Sequence, residues 1–294
     1  MKSFLILAVW FFNGVTSIEV IERKDKDIFE RDDCAGTTVG FGYSGTLEYH
    51  YKYLKKRYQG CTHIHGNLEI TNLVDHDINY DLSFLSEIRY VSGYVLIGLV
   101  TEVFHVPLTS LEIVRGNSTY RIQGDDYSFI VALTSRYGDT KVGLRALHMP
   151  ALREISEGKV MFKQNPALCY VDTISWDTIC RGRNNSVAFL ETPFSEDCDQ
   201  CSDNCQESET EVGGCWSTFP EYCARGHKQQ CDESCPERCF GPSSNQCCHS
   251  QCAVGCSGPT ESDCVMCKDF NFNGECRSFC PDGTYPMKNR CITF

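Results

Sequence analysis

Between Asn79 and Leu99 the apolar pattern changes period. Leu82, Phe84, Leu85, Ile88 and Val91 come at mixed spacing, Gly93 interrupts, and Val95 and Ile97 follow two and four places after the glycine. A glycine followed by apolar residues at those offsets predicts a turn feeding a short strand. The device recurs at Gly66 before Leu68 and Ile70, and at Gly158 before Val160 and Phe162. A weaker copy sets Gly116 before Ser118 and Tyr120. The intervals are about 23 to 42 residues, the range in which strand–turn units stack into a solenoid. One such unit cannot bury its apolar face alone, so neighbouring coils must complete the core. A different period precedes them. Gly45–Tyr58 places Leu47, Tyr51 and Leu54 at helical spacing and ends in Lys and Arg, which predicts an amphipathic helix.

Composition adds a compartment. Lys2, the apolar run Phe4–Phe12 and the small residues Val15 and Ser17 have the layout of a secretory signal peptide over 1–17, cut after Ser17. That run is too short to span a bilayer, and no later run approaches the roughly 20 apolar residues a spanning helix needs. The mature chain is therefore expected to be secreted and unanchored, beginning with a charged segment at 18–33. Twenty-one cysteines in 294 residues then read as disulfides, not as metal ligands. A net charge of −12 and a pI of about 5.1 argue against nucleic acid or an anionic membrane as partner.

The cysteines also divide the chain, since 17 of the 21 lie at or after Cys198. Cys231, Cys235, Cys239 and Cys247 are separated by three, three and seven residues, and Cys248, Cys252, Cys256 and Cys264 repeat that spacing at once. Cys201, Cys205, Cys215 and Cys223 form a looser copy. Adjacent Cys247 and Cys248 would strain a mutual bond and so belong to successive modules. Spacing alone leaves the connectivity open.

NLEIT (Asn67–Thr71), NYDLSFL (Asn79–Leu85), GYVLI (Gly93–Ile97), IVRGN (Ile113–Asn117) and NPALC (Asn165–Cys169) together resemble the first L domain of the ErbB, or epidermal growth factor receptor, family. The cysteine-rich half carries the resemblance to the end of the sequence. It implies a mainly β protein: a right-handed β-solenoid L domain over 34–198, then a rod of disulfide-rich furin-like, laminin-type modules over 199–294. It implies first-to-third and second-to-fourth pairing within modules, hence Cys201–Cys215, Cys205–Cys223, Cys231–Cys239, Cys235–Cys247, Cys248–Cys256 and Cys252–Cys264. Single bridges Cys267–Cys276 and Cys280–Cys291 follow, and Cys34–Cys61 and Cys169–Cys198 close the L domain. Cys180 has no counterpart, and is expected to be a free thiol beside Trp176. Trp216 is expected to insert between coils and fix the rod to the solenoid.

The resemblance also implies a ligand face for epidermal-growth-factor-like proteins, made of Phe41, Tyr43, Asn72 and Leu99. Phe41 and Tyr43 lie on the glycine-flanked segment Gly40–Gly45; if that segment is extended they share a side, and its edge suits strand addition. Asn72 departs from the aromatic residue of the epidermal growth factor receptor. The same glycines match a phosphate-loop pattern, but no apolar strand precedes them and no lysine or acidic residue follows where nucleotide chemistry needs one. His63, His65 and His76 lack regular ligand spacing, and the Cys-x-x-Cys pairs Cys198/Cys201 and Cys264/Cys267 fall in the bridge register, so no metal or other cofactor is expected. No nucleophile–base constellation and no kinase signature stands in these residues, and catalysis is not expected. Asn117 and Asn184 open glycosylation sequons.

Three functions fit. The first is a secreted, truncated, monomeric ErbB-like ectodomain that binds growth-factor-like ligands or interferes with a full-length receptor. The second is the amino-terminal piece of a receptor tyrosine kinase, and the third a structural extracellular protein reusing the fold. The loop Pro281–Arg290, about ten residues, is under half the length of the ErbB dimerisation arm to which Tyr285-Pro286 corresponds. That favours the first or third reading.

Overall fold

The computed structural model describes residues 33–137, 139–180, 186–190, 197–208, 213–224, 231–236, 238–287 and 289–294. The expected signal peptide, nearly all of 18–33, and Asn184 lie outside them.

Residues 33–190 form stacked coils with three sheets as sides. One side is the parallel series Asp33–Ala35, His63–His65, Tyr90–Val91, Ile113–Val114 and Glu154–Ile155. The largest side is the parallel series Leu68–Leu73, Val95–Val100, Asp125–Ala132, Lys159–Lys163 and Val187–Leu190. His105–Pro107 and Ala146–His148 pair in parallel as the third side. Glycines turn the chain from the first side to the second. At Gly93 a Cβ would overlap the Asn67 side chain, which accepts the Tyr94 N–H at 3.2 Å and the Ser118 hydroxyl at 2.6 Å.

The third coil departs from the expected pattern. After Gly116, Tyr120–Ile122 does not enter the parallel ladder; it folds back as an antiparallel arm on Asp125–Ala132, which supplies the coil's strand. Ser118 and Tyr120 are therefore not the core pair of this coil. Phe129 and Val131 are, both fully buried.

Alternation inside the large sheet sends Leu68, Ile70, Val95, Ile97, Phe129, Val131, Val160 and Phe162 into one continuous core. Each of these strands ends on a left-handed residue in register: Asn72, Leu99, Leu133 and Gln164, with φ of 57°, 53°, 58° and 55°. The following residues, Leu73, Val100, Thr134 and Asn165, are buried. In the last two coils they bond each other, Thr134 Oγ1 donating to Asn165 Oδ1 at 2.9 Å. The helix Leu47–Tyr58, capped by Thr46, closes one end of the stack with His50, Leu54 and Tyr58 buried. Tyr51 of the expected stripe is instead half-buried, its hydroxyl bonding the backbone of Asp81. Trp176 of the short helix Trp176–Ile179 lies toward the other end, packing on Phe162 and Phe129.

Among its described residues, the cysteine-rich half holds little regular structure apart from the hairpin Cys252–Cys256 with Cys264–Cys267 and a four-stranded sheet over Phe270–Thr293. Ten disulfides are formed: Cys34–Cys61, Cys169–Cys198, Cys201–Cys215, Cys205–Cys223, Cys231–Cys239, Cys235–Cys247, Cys248–Cys256, Cys252–Cys264, Cys267–Cys276 and Cys280–Cys291. Trp216 is 1% exposed, set edge-on to Trp176 within the solenoid core. Tyr222 stacks on His148 at 4.0 Å. Further along, Arg238 Nε donates to the buried carboxylate of Glu154 at 2.8 Å, which also accepts the Val254 N–H at 2.9 Å. Ala253 and Val254 pack there on Tyr90 and Ile113.

Candidate functional site

The segment Gly40–Gly45 forms no strand; it is a loop laid against the outer face of the large sheet. Alternation that turns Leu68 and Ile70 inward turns Glu69 and Thr71 outward. Glu69 is nonetheless buried, because the loop covers it. Its carboxylate accepts the N–H groups of Val39 at 2.6 Å and Gly40 at 3.0 Å, and the Tyr94 hydroxyl at 2.7 Å. Gly40 adopts a φ of 63°, open to glycine without a Cβ penalty, so two successive amides can face one anion. Burial, and then the Glu69 carboxylate, push the Tyr94 phenol well above its ordinary pKa.

The loop places its rings separately. Phe41 covers Gly98, where a Cβ would overlap its ring, and meets Tyr120 edge-on at 6.1 Å. Tyr43 packs on His50 with the two rings tilted and their centres 4.3 Å apart. His50 Nε2 bonds the carbonyl of Thr71 at 2.8 Å. Phe41 thus contacts the residue before Leu99, and Tyr43 is linked through His50 to the residue before Asn72. Asn72 Nδ2 approaches the Phe41 carbonyl at 3.5 Å, too long for a strong bond. Phe41, Tyr43, Asn72 and Leu99 are all half-buried and belong to one corner of the solenoid. The segment is not a ladder strand, and its two rings meet different partners, Phe41 at Gly98 and Tyr120 and Tyr43 at His50. The sequence reading missed Glu69. Its one signal was a carboxylate among the apolar residues of NLEIT.

The three histidines do not converge. His63 stacks on Tyr90, His65 lies 3.3 Å from Asp33, and His76 is exposed between Asp75 and Asp77. Asn117 is exposed at a turn. Cys180 is the free cysteine, half-buried against the core. Among the described residues no helix is long and apolar enough to cross a membrane.

Residues 60–180 match the receptor L domain family, and residues 189–294 match the furin-like cysteine-rich region. The stacked coils and the bridged modules are thus a receptor L domain followed by a furin-like region. The sequence is 39% identical over 260 residues to the melanoma receptor tyrosine-protein kinase of Xiphophorus maculatus, covering 86% of this chain and 21% of that one. It is 35% identical over 276 residues to the epidermal growth factor receptor of Drosophila melanogaster (92% and 18%), and 39% over 249 residues to human receptor tyrosine-protein kinase erbB-4 (84% and 18%). The chain belongs to the epidermal growth factor receptor (ErbB) family, matching its ectodomains over most of its length. It spans about a fifth of the length of these relatives, and no kinase domain lies within its 294 residues.

Proposed function

We propose that this protein is a secreted ErbB-like ectodomain whose L domain, over 34–198, captures an epidermal-growth-factor-like ligand or competes within a full-length receptor assembly, with 199–294 as its rod. The observation that carries this reading is the corner where Phe41, Tyr43, Asn72 and Leu99 gather beside a covered sheet face in a chain of this family. Two half-buried aromatic rings offer anchor area of the kind that dominates protein interfaces. Asn72 offers less apolar area than an aromatic residue there, so affinity or specificity differs from that of the epidermal growth factor receptor. Asn117 and Asn184 carry glycans in this reading.

One L domain supplies one site. Taken alone, these residues lack the gain in effective concentration, roughly 10²–10⁴, that a second tethered site would add. Binding by the isolated monomer is therefore expected on the order of micromolar. Isothermal calorimetry against a panel of epidermal-growth-factor-like domains tests this. Saturable heat that is lost in Phe41→Ala and Tyr43→Ala supports ligand capture; no heat with any domain, or no effect of either substitution, ends it. The share of the relatives' length covered favours a second reading, that these residues are the amino-terminal part of a longer receptor. A transcript continuing in frame past Phe294 would establish that instead.

A further inference from the structure

The loop bearing Phe41 and Tyr43 has flexible chemistry and a fixed position. Gly40, Gly42 and Gly45 punctuate it, and no ladder runs through it. Such a loop explores many backbone states unless something outside it chooses one. The neighbouring group that takes its amides is the buried Glu69 carboxylate, which binds the two residues just before Phe41. We propose that Glu69 is the positioning residue of the ligand face: it latches the loop to the sheet and so seats Phe41 on Gly98. This rests on the ligand-capture reading for its functional part, though the latch itself can be tested without a ligand.

Three donors meet this carboxylate. Val39 N–H reaches one carboxylate oxygen, while Gly40 N–H and the Tyr94 hydroxyl reach the other. A carboxylate accepts at both oxygens; a glutamine presents an NH₂ at one of them and opposes a backbone N–H there. Glu69→Gln is therefore nearly the same size but cannot hold both amides. A hydroxyl can turn to accept, so Tyr94 is the adaptable partner and the amides are not. Tyr94→Phe keeps the carboxylate and both amide bonds, and removes a donor that holds no part of the loop. Gly98→Ala attacks the seat from the other side, since its Cβ would overlap the Phe41 ring while the Glu69 bonds stay intact.

The experiment uses the whole secreted chain and two readouts. Amide hydrogen exchange is measured at Val39 and Gly40 and, as reference, at Ile97 and Val131 in the sheet. Affinity is measured by calorimetry with the epidermal-growth-factor-like domain that binds the wild type best. Glu69→Gln is expected to speed exchange at Val39 and Gly40 at least tenfold, to leave Ile97 and Val131 within twofold, and to weaken binding about tenfold. Tyr94→Phe is expected to keep both readouts within about threefold of wild type. Gly98→Ala is expected to weaken binding while Val39 and Gly40 stay protected. Unchanged exchange at Val39 and Gly40 in Glu69→Gln overturns the latch, as does equal acceleration at the reference amides. Tyr94→Phe matching Glu69→Gln overturns it too, because the outer-face packing would then be responsible. If the wild type binds no domain of the panel, the ligand reading fails, and the exchange data still decide whether Glu69 holds the loop.

Discussion

In the solenoid, Phe129, Val131, Val160 and Phe162 are fully buried and held by parallel ladders that run through every coil. Among the described residues of the cysteine-rich half, the buried apolar ones are cysteines, Ala253, Val254 and Trp216. Trp216 is spent on the solenoid's core, not on its own module. One half therefore stabilises itself through apolar burial that grows with each coil added. The other relies on bridges that restrict the unfolded chain, and on docking against its neighbour. The two regions thus meet different physical limits. The modules are too thin to bury a core of their own.

The sharpest way to break this comparison is to truncate Trp216, the large buried side chain that the cysteine-rich half sets in the solenoid core. Trp216→Ala is expected to cost about 3–5 kcal/mol, as truncation of large buried aromatics does. Urea unfolding measures the loss. Hydrogen exchange then locates it: amides of 213–224 should lose protection while Ile97 and Val131 keep theirs. Equal loss in both places would mean that the halves fold as one cooperative unit.

A smaller effect probes the bridges alone. Replacing both Cys235 and Cys247 with Ser removes a bridge that spans 12 residues, and chain entropy puts the cost at about 3 kcal/mol. The loss should stay inside that module, read as new protease cleavage between 231 and 247 with the solenoid intact. Cleavage in the solenoid instead would show that the modules stabilise the coils, reversing the dependence argued above.

The sequence showed the solenoid wherever a glycine turn led straight into a ladder strand, at Gly66, Gly93 and Gly158. It misled at Gly116, because the arm Tyr120–Ile122 inserts before the strand and no local pattern marks an insertion. The cysteine spacing marked the modules because bridge geometry is local. Contacts across the two halves were legible only at Trp216, and there through family resemblance. Glu154 with Arg238 joins residues 84 positions apart, and His148 with Tyr222 likewise needs the fold to bring them together. At the candidate site the residue types were readable, but the loop's shape depends on Glu69, whose outward face emerges only when the strand register is known.

A contact between the halves also carries the pH dependence. His148 lies between His105, 4.6 Å away on the solenoid, and Tyr222 of the first module, 4.0 Å away on the short helix that also bears Glu221. Burial, and then His105, lower its pKa to about 4. The unfolded chain takes up this proton near pH 6.5 and the folded chain resists until about pH 4. Between those values the unfolded state binds more protons, so stability falls as pH falls through that window and levels off below it. The ring is half-buried and solvent screens it, so about 1 kcal/mol is expected between pH 7 and pH 5. His148→Phe keeps an aromatic ring in the stack and should flatten this slope, as read by urea midpoints at the two pH values. A slope that persists in His148→Phe assigns the pH dependence elsewhere.

The smallest expected effect belongs to the cysteine that lies outside the bridge pattern. Cys180 ends the helix Trp176–Ile179, its N–H bonded to the Trp176 carbonyl at 2.7 Å, and pairs with Ile155 at the solenoid's edge. Burial, with Asp177 adding to it, pushes its thiol up to about 12. The thiolate is the reactive form, so near neutral pH the reactive fraction is roughly a thousandfold below that of an ordinary cysteine. The residue then acts as a small apolar filler. Cys180→Ala should change stability by under ~1 kcal/mol, within the range of half-buried substitutions that leave no polar group unpaired. Iodoacetamide should label the native protein at least a hundredfold more slowly than the urea-unfolded one. Non-reducing electrophoresis should show a monomer in both wild type and Cys180→Ser. A covalent dimer in the wild type that disappears in Cys180→Ser would instead make this edge of the solenoid an interface between two copies, with the odd cysteine as its bond.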